Sequence, residues 1–168
     1  MTVARRQIVE PAERELVITR VFAAPRALVF EAWTDPRHAM RWWGPVHHPA
    51  TQVEMDVRPG GRWRHRLTSP ETGQELWHGG VFREVAAPER LVFTFAWEEE
   101  GERGLETLVT VTFAEESGKT RMTFRQVPFQ SVEERDGHRG GWTSTFDRLD
   151  RHLARSGEPM TGGPLTID

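Results

Sequence analysis

The stretch GWTSTFDRLDRHLAR, residues 141–155, decides the architecture. Trp142, Phe146, Leu149 and Leu153 recur at i, i+4, i+7 and i+11, which places them on one stripe of an α-helix. Thr143, Asp147, Arg148, Asp150 and Arg151 fall mostly on its polar side. Such a stripe must be buried against something. Most of the chain before it reads as strands, so the expected partner is a curved sheet that this helix closes.

Composition bounds the rest. A chain of 168 residues suits one domain with a sizeable core. Its 7 Trp and 9 Phe, with no Tyr, concentrate burial in large rings without hydroxyls, a set able to line a pocket. The 22 basic and 25 acidic residues leave a formal net charge of -3 without a long run of one sign, so nucleic acid is not an expected partner. With 0 Cys there is no disulfide, thiolate metal site or cysteine nucleophile, and the cytoplasm is the default compartment. No run approaches the ~18 apolar residues of a membrane span, and the N-terminal residues lack a secretory pattern.

Residues 1–14 read as a flexible arm, or as a segment docking on a partner subunit. The β-branched, alternating run from Glu15 to Phe22 is the first strand. Ala24-Pro25 ends it and opens a short helix to Trp33, and Thr34-Asp35-Pro36 caps and restarts a second one to about Trp42. Strands follow at Thr51 to Asp56 and Arg62 to Leu67, joined through Arg58-Pro59-Gly60-Gly61, where Pro then Gly suits a type II turn. Gln74 to Val85 is a strand with a bulge or close approach at Gly79-Gly80, and its register is ambiguous. Leu91 to Trp97 comes next, then a solvated loop from Glu98 to Gly104. Leu105, Thr107, Val109, Val111 and Phe113 share an inward face, and Thr120, Met122 and Phe124 continue on the last strand. Ser131 and Glu134 form a capping box, and Gly137, Gly140 and Gly141 are expected to break the helix before its main part. Asp147 is placed to pair with Arg151, for about 0.3 kcal/mol. Gly157 suits a C-cap, and residues 156–168 read as a flexible tail. The expected unit is a single α+β domain over residues 15–155.

Specific motifs occur in a recognisable order: Ala24-Pro25, Thr34-Asp35-Pro36, Trp42-Trp43-Gly44, Asp56-Val57-Arg58-Pro59-Gly60-Gly61, Gly80 to Val85, Pro88-Glu89-Arg90-Leu91, and Gly141-Trp142 leading to Leu149. With them the chain resembles the family related to the C-terminal domain of the activator of heat-shock protein 90 ATPase, within the START-like superfamily of ligand-binding and polyketide-cyclase-like domains. The resemblance implies a helix-grip fold: a strongly curved antiparallel sheet wrapped around a long C-terminal helix, two short helices after the first strand, and a cavity between sheet and long helix. It implies no particular reaction, because fold does not fix function.

The expected cavity lining is Trp63, His65, Trp77, Phe95, Trp97, Phe124, Gln126, Trp142 and Phe146. An apolar pocket with a few polar groups is the usual small-molecule site. The competing reading is that these side chains pack into a solid core. His65 and Gln126 are the candidate polar contacts, with His65 also able to act as an acid or base if a carboxylate lies beside it. No catalytic residue is assigned. No metal site is expected, since adjacent His47 and His48 in a loop, with His65 and His78, make no convergent ligand set. No cofactor is expected, since phosphate-loop, dinucleotide and serine-elbow motifs are missing. The leading expectation is binding or sensing of a small hydrophobic molecule. Regulation of a heat-shock protein 90 type chaperone in stress response ranks lower, since the chain has room only for the domain resembling the activator's C-terminal part. A cyclase or dehydratase-like enzyme is a third reading, and a homodimer through a sheet edge or the terminal arms is possible.

Overall fold

The computed structural model describes residues 11–99 and 102–156. Strand β1 (Leu16–Phe22) turns Leu16, Ile18 and Phe22 inward. Pro25 stands at the N-cap of α1 (Arg26–Thr34), and Asp35 caps α2 (Pro36–Trp42) by accepting the Arg37 N–H at 2.9 Å, with Pro36 pre-set for the first turn. Seven strands then form a meander: β2 (Ala50–Met55), β3 (Arg62–Thr68), β4 (Glu75–Ala86), β5 (Arg90–Glu99), β6 (Glu102–Arg103), β7 (Thr107–Glu116) and β8 (Lys119–Val127). The long helix α3 (Val132–Ser156) closes the structure.

All pairings are antiparallel, in the spatial order β1-β8-β7-β5-β4-β3-β2, with β6 on β5. This is the curved sheet, long C-terminal helix and pair of early short helices of the helix-grip fold. The β2–β3 connection turns where expected: the Gly61 N–H donates to the Arg58 carbonyl at 2.8 Å, and Gly60 adopts φ +87°, which only glycine takes at low cost. Trp142, Phe146, Leu149 and Leu153 of α3 are all buried in one core with Trp33, Phe93, Val111 and Phe124. Burial of that stripe against the sheet holds the helix in place.

Several expectations need correction. Helix α3 runs unbroken through Gly137, Gly140 and Gly141. Glycine weakens a helix by about 1 kcal/mol against alanine without removing a hydrogen bond, and the start is secured by Ser131 Oγ, which accepts the Glu134 N–H at 3.0 Å. Glu134 in turn accepts the Gln130 N–H at 2.7 Å. Leu105 lies before β7 and is 52% exposed, so the inward face begins only at Thr107. Glu98 to Gly104 contains the end of β5 and all of β6. Asp147 pairs with Arg20 of β1 at 2.9 Å, which ties α3 to the sheet instead of to Arg151.

Of the N-terminal arm, Pro11–Arg14 forms a 3-10 turn whose Arg14 carbonyl accepts the Phe129 N–H at 2.9 Å. The rest of that arm, and the tail with its Gly157 cap, lie outside the described residues. Among the described residues no helix is long and apolar enough to cross a membrane.

Candidate functional site

Alternation along β3 sends Trp63, His65 and Leu67 inward and Arg62 and Arg64 outward. The pairing with β4 settles the ambiguous register: His65 lies opposite His78, and Arg66 opposite Trp77. Trp77 is therefore on the outer face, where the Arg64 guanidinium lies 3.7 Å from its ring centroid. His78, one residue on, takes the inward place expected for Trp77, and it is 3% exposed.

The other expected lining residues do converge, and they pack against one another. The Phe124 ring sits 4.6 Å from Trp142 and 5.3 Å from Phe146, and Trp142 stacks on Phe146 at 5.5 Å. Trp63 lies 5.8 Å from Phe95 and 4.8 Å from His65, and donates its indole N–H to the Thr94 carbonyl at 3.0 Å. Trp33 of α1, which sequence reading left out of the lining, fills the centre against Trp42, Trp43, Phe93, Trp142 and Phe146. The void left among Trp33, Trp43, Trp63 and His65 is about 10 Å³, about the size of one water molecule. The interior between sheet and helix is thus mostly core.

Gln126 is also committed. Its amide oxygen accepts the Trp142 indole N–H at 2.9 Å, and its amide nitrogen donates to Thr107 Oγ1 at 2.9 Å. Thr107 passes its proton on to the Phe95 carbonyl at 3.1 Å. This chain pins α3 to β8, β7 and β5 rather than presenting a free amide.

Open space remains at one end, in a cleft of about 140 Å³ between the first turns of α3, the segment after α2, and the edges of β3, β4 and β5. Its walls include Trp43, His78, Phe95, Trp97, His138 and Trp142. Gly137 and Gly141 form part of the helical wall, and a Cβ added at either would meet nothing within 4 Å. Trp43, His138 and the glycines carried no sequence signal for this role, since the contact joins segments some 40 to 95 residues apart.

Two histidines of this cleft, His78 and His138, accept hydrogen bonds from neighbouring indoles. The Trp43 indole N–H donates to His78 Nε2 at 2.8 Å, which fixes the imidazole proton on Nδ1. That buried Nδ1 has no hydrogen-bond partner among the described residues. The Trp97 indole N–H donates to His138 Nε2 at 3.3 Å. Burial holds His78 well below the usual histidine range, with His65 and His138 adding in the same direction. Burial likewise lowers His138, and lowers His65 to about 4. His78 and His138 are therefore neutral near pH 7, so these two rings offer the cleft hydrogen bonds within aromatic walls rather than charge. His65 touches the rings of Trp43, Trp63 and His78, and no carboxylate contributes to its lowered pKa.

The model of a family described as Activator of Hsp90 ATPase homolog 1-like protein matches residues 23–154. No curated protein matches the chain. Among solved structures, an AHSA1 protein from Silicibacter pomeroyi is 27% identical, with 84% of this chain and 99% of that one covered at a TM-score of 0.77. A protein from Mycobacterium smegmatis is 30% identical, with 84% and 91% covered at 0.72. A protein from Arthrobacter aurescens is 26% identical, with 90% and 92% covered at 0.76.

Proposed function

Because the chain belongs to the Activator of Hsp90 ATPase homolog 1-like family, whose membership supports a ligand-binding or regulatory role in general, we propose that it binds a small, planar, largely apolar molecule. The proposed site is the cleft beside Gly137 and Gly141, and the cytoplasm is the compartment that the cysteine-free composition fits best.

One observation carries this reading. His78 lines an aromatic cleft with its proton held on a buried Nδ1 that has no partner among the described residues. Leaving such a donor unpaired costs about 1–3 kcal/mol. A ligand carbonyl or hydroxyl that displaced the side chains now covering Nδ1 would supply the missing acceptor while its apolar part lies among Trp43, Phe95, Trp97 and Trp142. At about 140 Å³ the cleft is smaller than the ~300 Å³ at the low end of ordinary ligand sites, so the ligand is about one ring in size or the cleft widens on binding. Of the nine residues expected in the lining, Phe95, Trp97 and Trp142 belong to this site. Trp63, His65, Phe124, Gln126 and Phe146 serve as its packed support.

Acid–base catalysis is less well supported, because the neutral His65 has aromatic and histidine neighbours where that chemistry needs a carboxylate. The test is native mass spectrometry and calorimetric titration of the wild type and of Gly141→Leu with a panel of monocyclic aromatic carbonyl and hydroxyl compounds. Saturable binding that Gly141→Leu abolishes without lowering the melting temperature supports the cleft. A panel that gives no binding, or binding that survives the filled cleft, removes it.

A further inference from the structure

Sequence reading set aside nucleic acid because the charges form no long run of one sign. The fold gathers arginines. Helix α2 contributes Arg37 and Arg41, and α3 contributes Arg148, Arg151 and Arg155, to a groove of about 800 Å³ that also holds His38 and His152. No carboxylate is among the described residues that line it.

The five guanidinium groups differ in what they have left to offer. Arg148 is used by the fold: it donates to the carbonyls of Arg41, Trp42, Trp43 and Gly44 at 2.8–3.4 Å, covering the negative end of α2. Arg37 is paired with Asp35 at 3.0 Å. The guanidinium groups of Arg41, Arg151 and Arg155 have no hydrogen-bond or ion-pair partner among the described residues, and that of Arg151 is left free as Asp147 pairs with Arg20. Between the two helices, His38 Nδ1 and His152 Nε2 share one hydrogen bond at 2.8 Å, and Glu31 lies 3.9 Å from His38 at the rim. The crowding of cations is felt within the groove: after burial, His38, Arg41 and Arg155 hold His152 down to about 4, and Arg151 lowers Arg148.

We propose that this groove binds a soluble molecule carrying two or more linked phosphate groups, gripped by Arg41, Arg151 and Arg155. Unrelieved repulsion among guanidinium groups is relieved by an anion, and the planar guanidinium fork matches phosphate oxygens in a bidentate way. The volume lies in the ~300–1,000 Å³ range of small-molecule sites. Three free cations exceed what one phosphate needs. An acidic peptide fits less well, because the lining offers Met40 as its one apolar side chain and no free strand edge.

The experiment is calorimetric titration of the full chain with sodium tripolyphosphate, pyrophosphate and orthophosphate, beside histidine-ring NMR. Tripolyphosphate should bind at one site about tenfold or more tighter than orthophosphate and shift the His38 and His152 signals. The Arg151→Gln/Arg155→Gln variant should weaken it about tenfold or more. An equal charge change on the sheet, Arg62→Gln/Arg83→Gln, should leave it within about twofold. Arg41→Gln, on the other helix, gives an independent variant should the first melt early. Equal affinity for the three anions, equal weakening in the sheet variant, unmoved histidine signals, or binding to vesicles of anionic lipid without binding to tripolyphosphate would each overturn the proposal.

Discussion

At the scale of single residues, Gln126 shows how a polar side chain in a pocket-like place can belong to the fold. It takes the Trp142 indole proton and gives one to Thr107, both at 2.9 Å, in a wholly buried position. Gln126→Leu keeps the volume and strands the indole N–H, so we expect a loss of about 1–3 kcal/mol in urea denaturation. Trp142→Phe in the same background should recover part of that loss, and no recovery would show that the bond is not what Gln126 contributes. Sequence patterning anticipated that Gln126 faces inward, as period-2 alternation from Met122 and Phe124 requires. It could not anticipate the partner, because Thr107 and Trp142 reach it from other elements. Trp77 shows the opposite failure. With Gly79-Gly80 carrying no side chain to mark a face, alternation along β4 had nothing to set its phase, and only the pairing of His65 with His78 shows which residue turns inward.

At the scale of elements, seven of the eight strands, both short helices and the α3 stripe were legible because period, Pro-Gly turn chemistry and capping residues all agreed, while the two-residue β6 fell in an expected loop. The continuity of α3 was not, since three glycines argue locally for a break and distant burial of Trp142 to Leu153 overrules them. That override has a measurable cost. Gly140 is exposed and a Cβ there meets nothing, so Gly140→Ala should raise stability by about 1 kcal/mol in denaturant titrations. Within the same helix, Leu149→Ala should cost about 2–5 kcal/mol, because Leu149 is fully buried. Arg148 binds the helix pair together: Arg148→Leu removes a donor from four carbonyls, of which that of Trp43 keeps the Ala50 N–H, and should cost about 2–3 kcal/mol. Arg148→Lys should recover little of it, since one ammonium cannot reproduce the fork. Full recovery by lysine would mean that charge alone matters there.

For the whole molecule, the gathering of neutral histidines makes stability sensitive to acid. His65 titrates at about 4 when folded, against an ordinary 6.5. Keeping it neutral stabilises the fold fully above about pH 6.5, and that contribution is lost as pH falls towards 4, because the unfolded chain takes up the proton first. The loss is about 3 kcal/mol for His65, with His78 acting in the same direction. Denaturant titrations between about pH 7 and about pH 4 should therefore show a steep decline, shallower by about one proton in His65→Leu. An unchanged slope in that variant would contradict the buried, neutral assignment.

The outward turn of Trp77 has an optical consequence. Of the 7 tryptophans, Trp33, Trp42, Trp43, Trp63 and Trp142 are buried, Trp97 is half-buried at the cleft, and Trp77 is half-buried on the outer face of the sheet under an arginine. Its emission should be the red-edge component that iodide extinguishes. Trp77→Phe would leave a spectrum dominated by the interior rings, in which Trp43, Trp97 and Trp142 report directly on whatever occupies the space beside them.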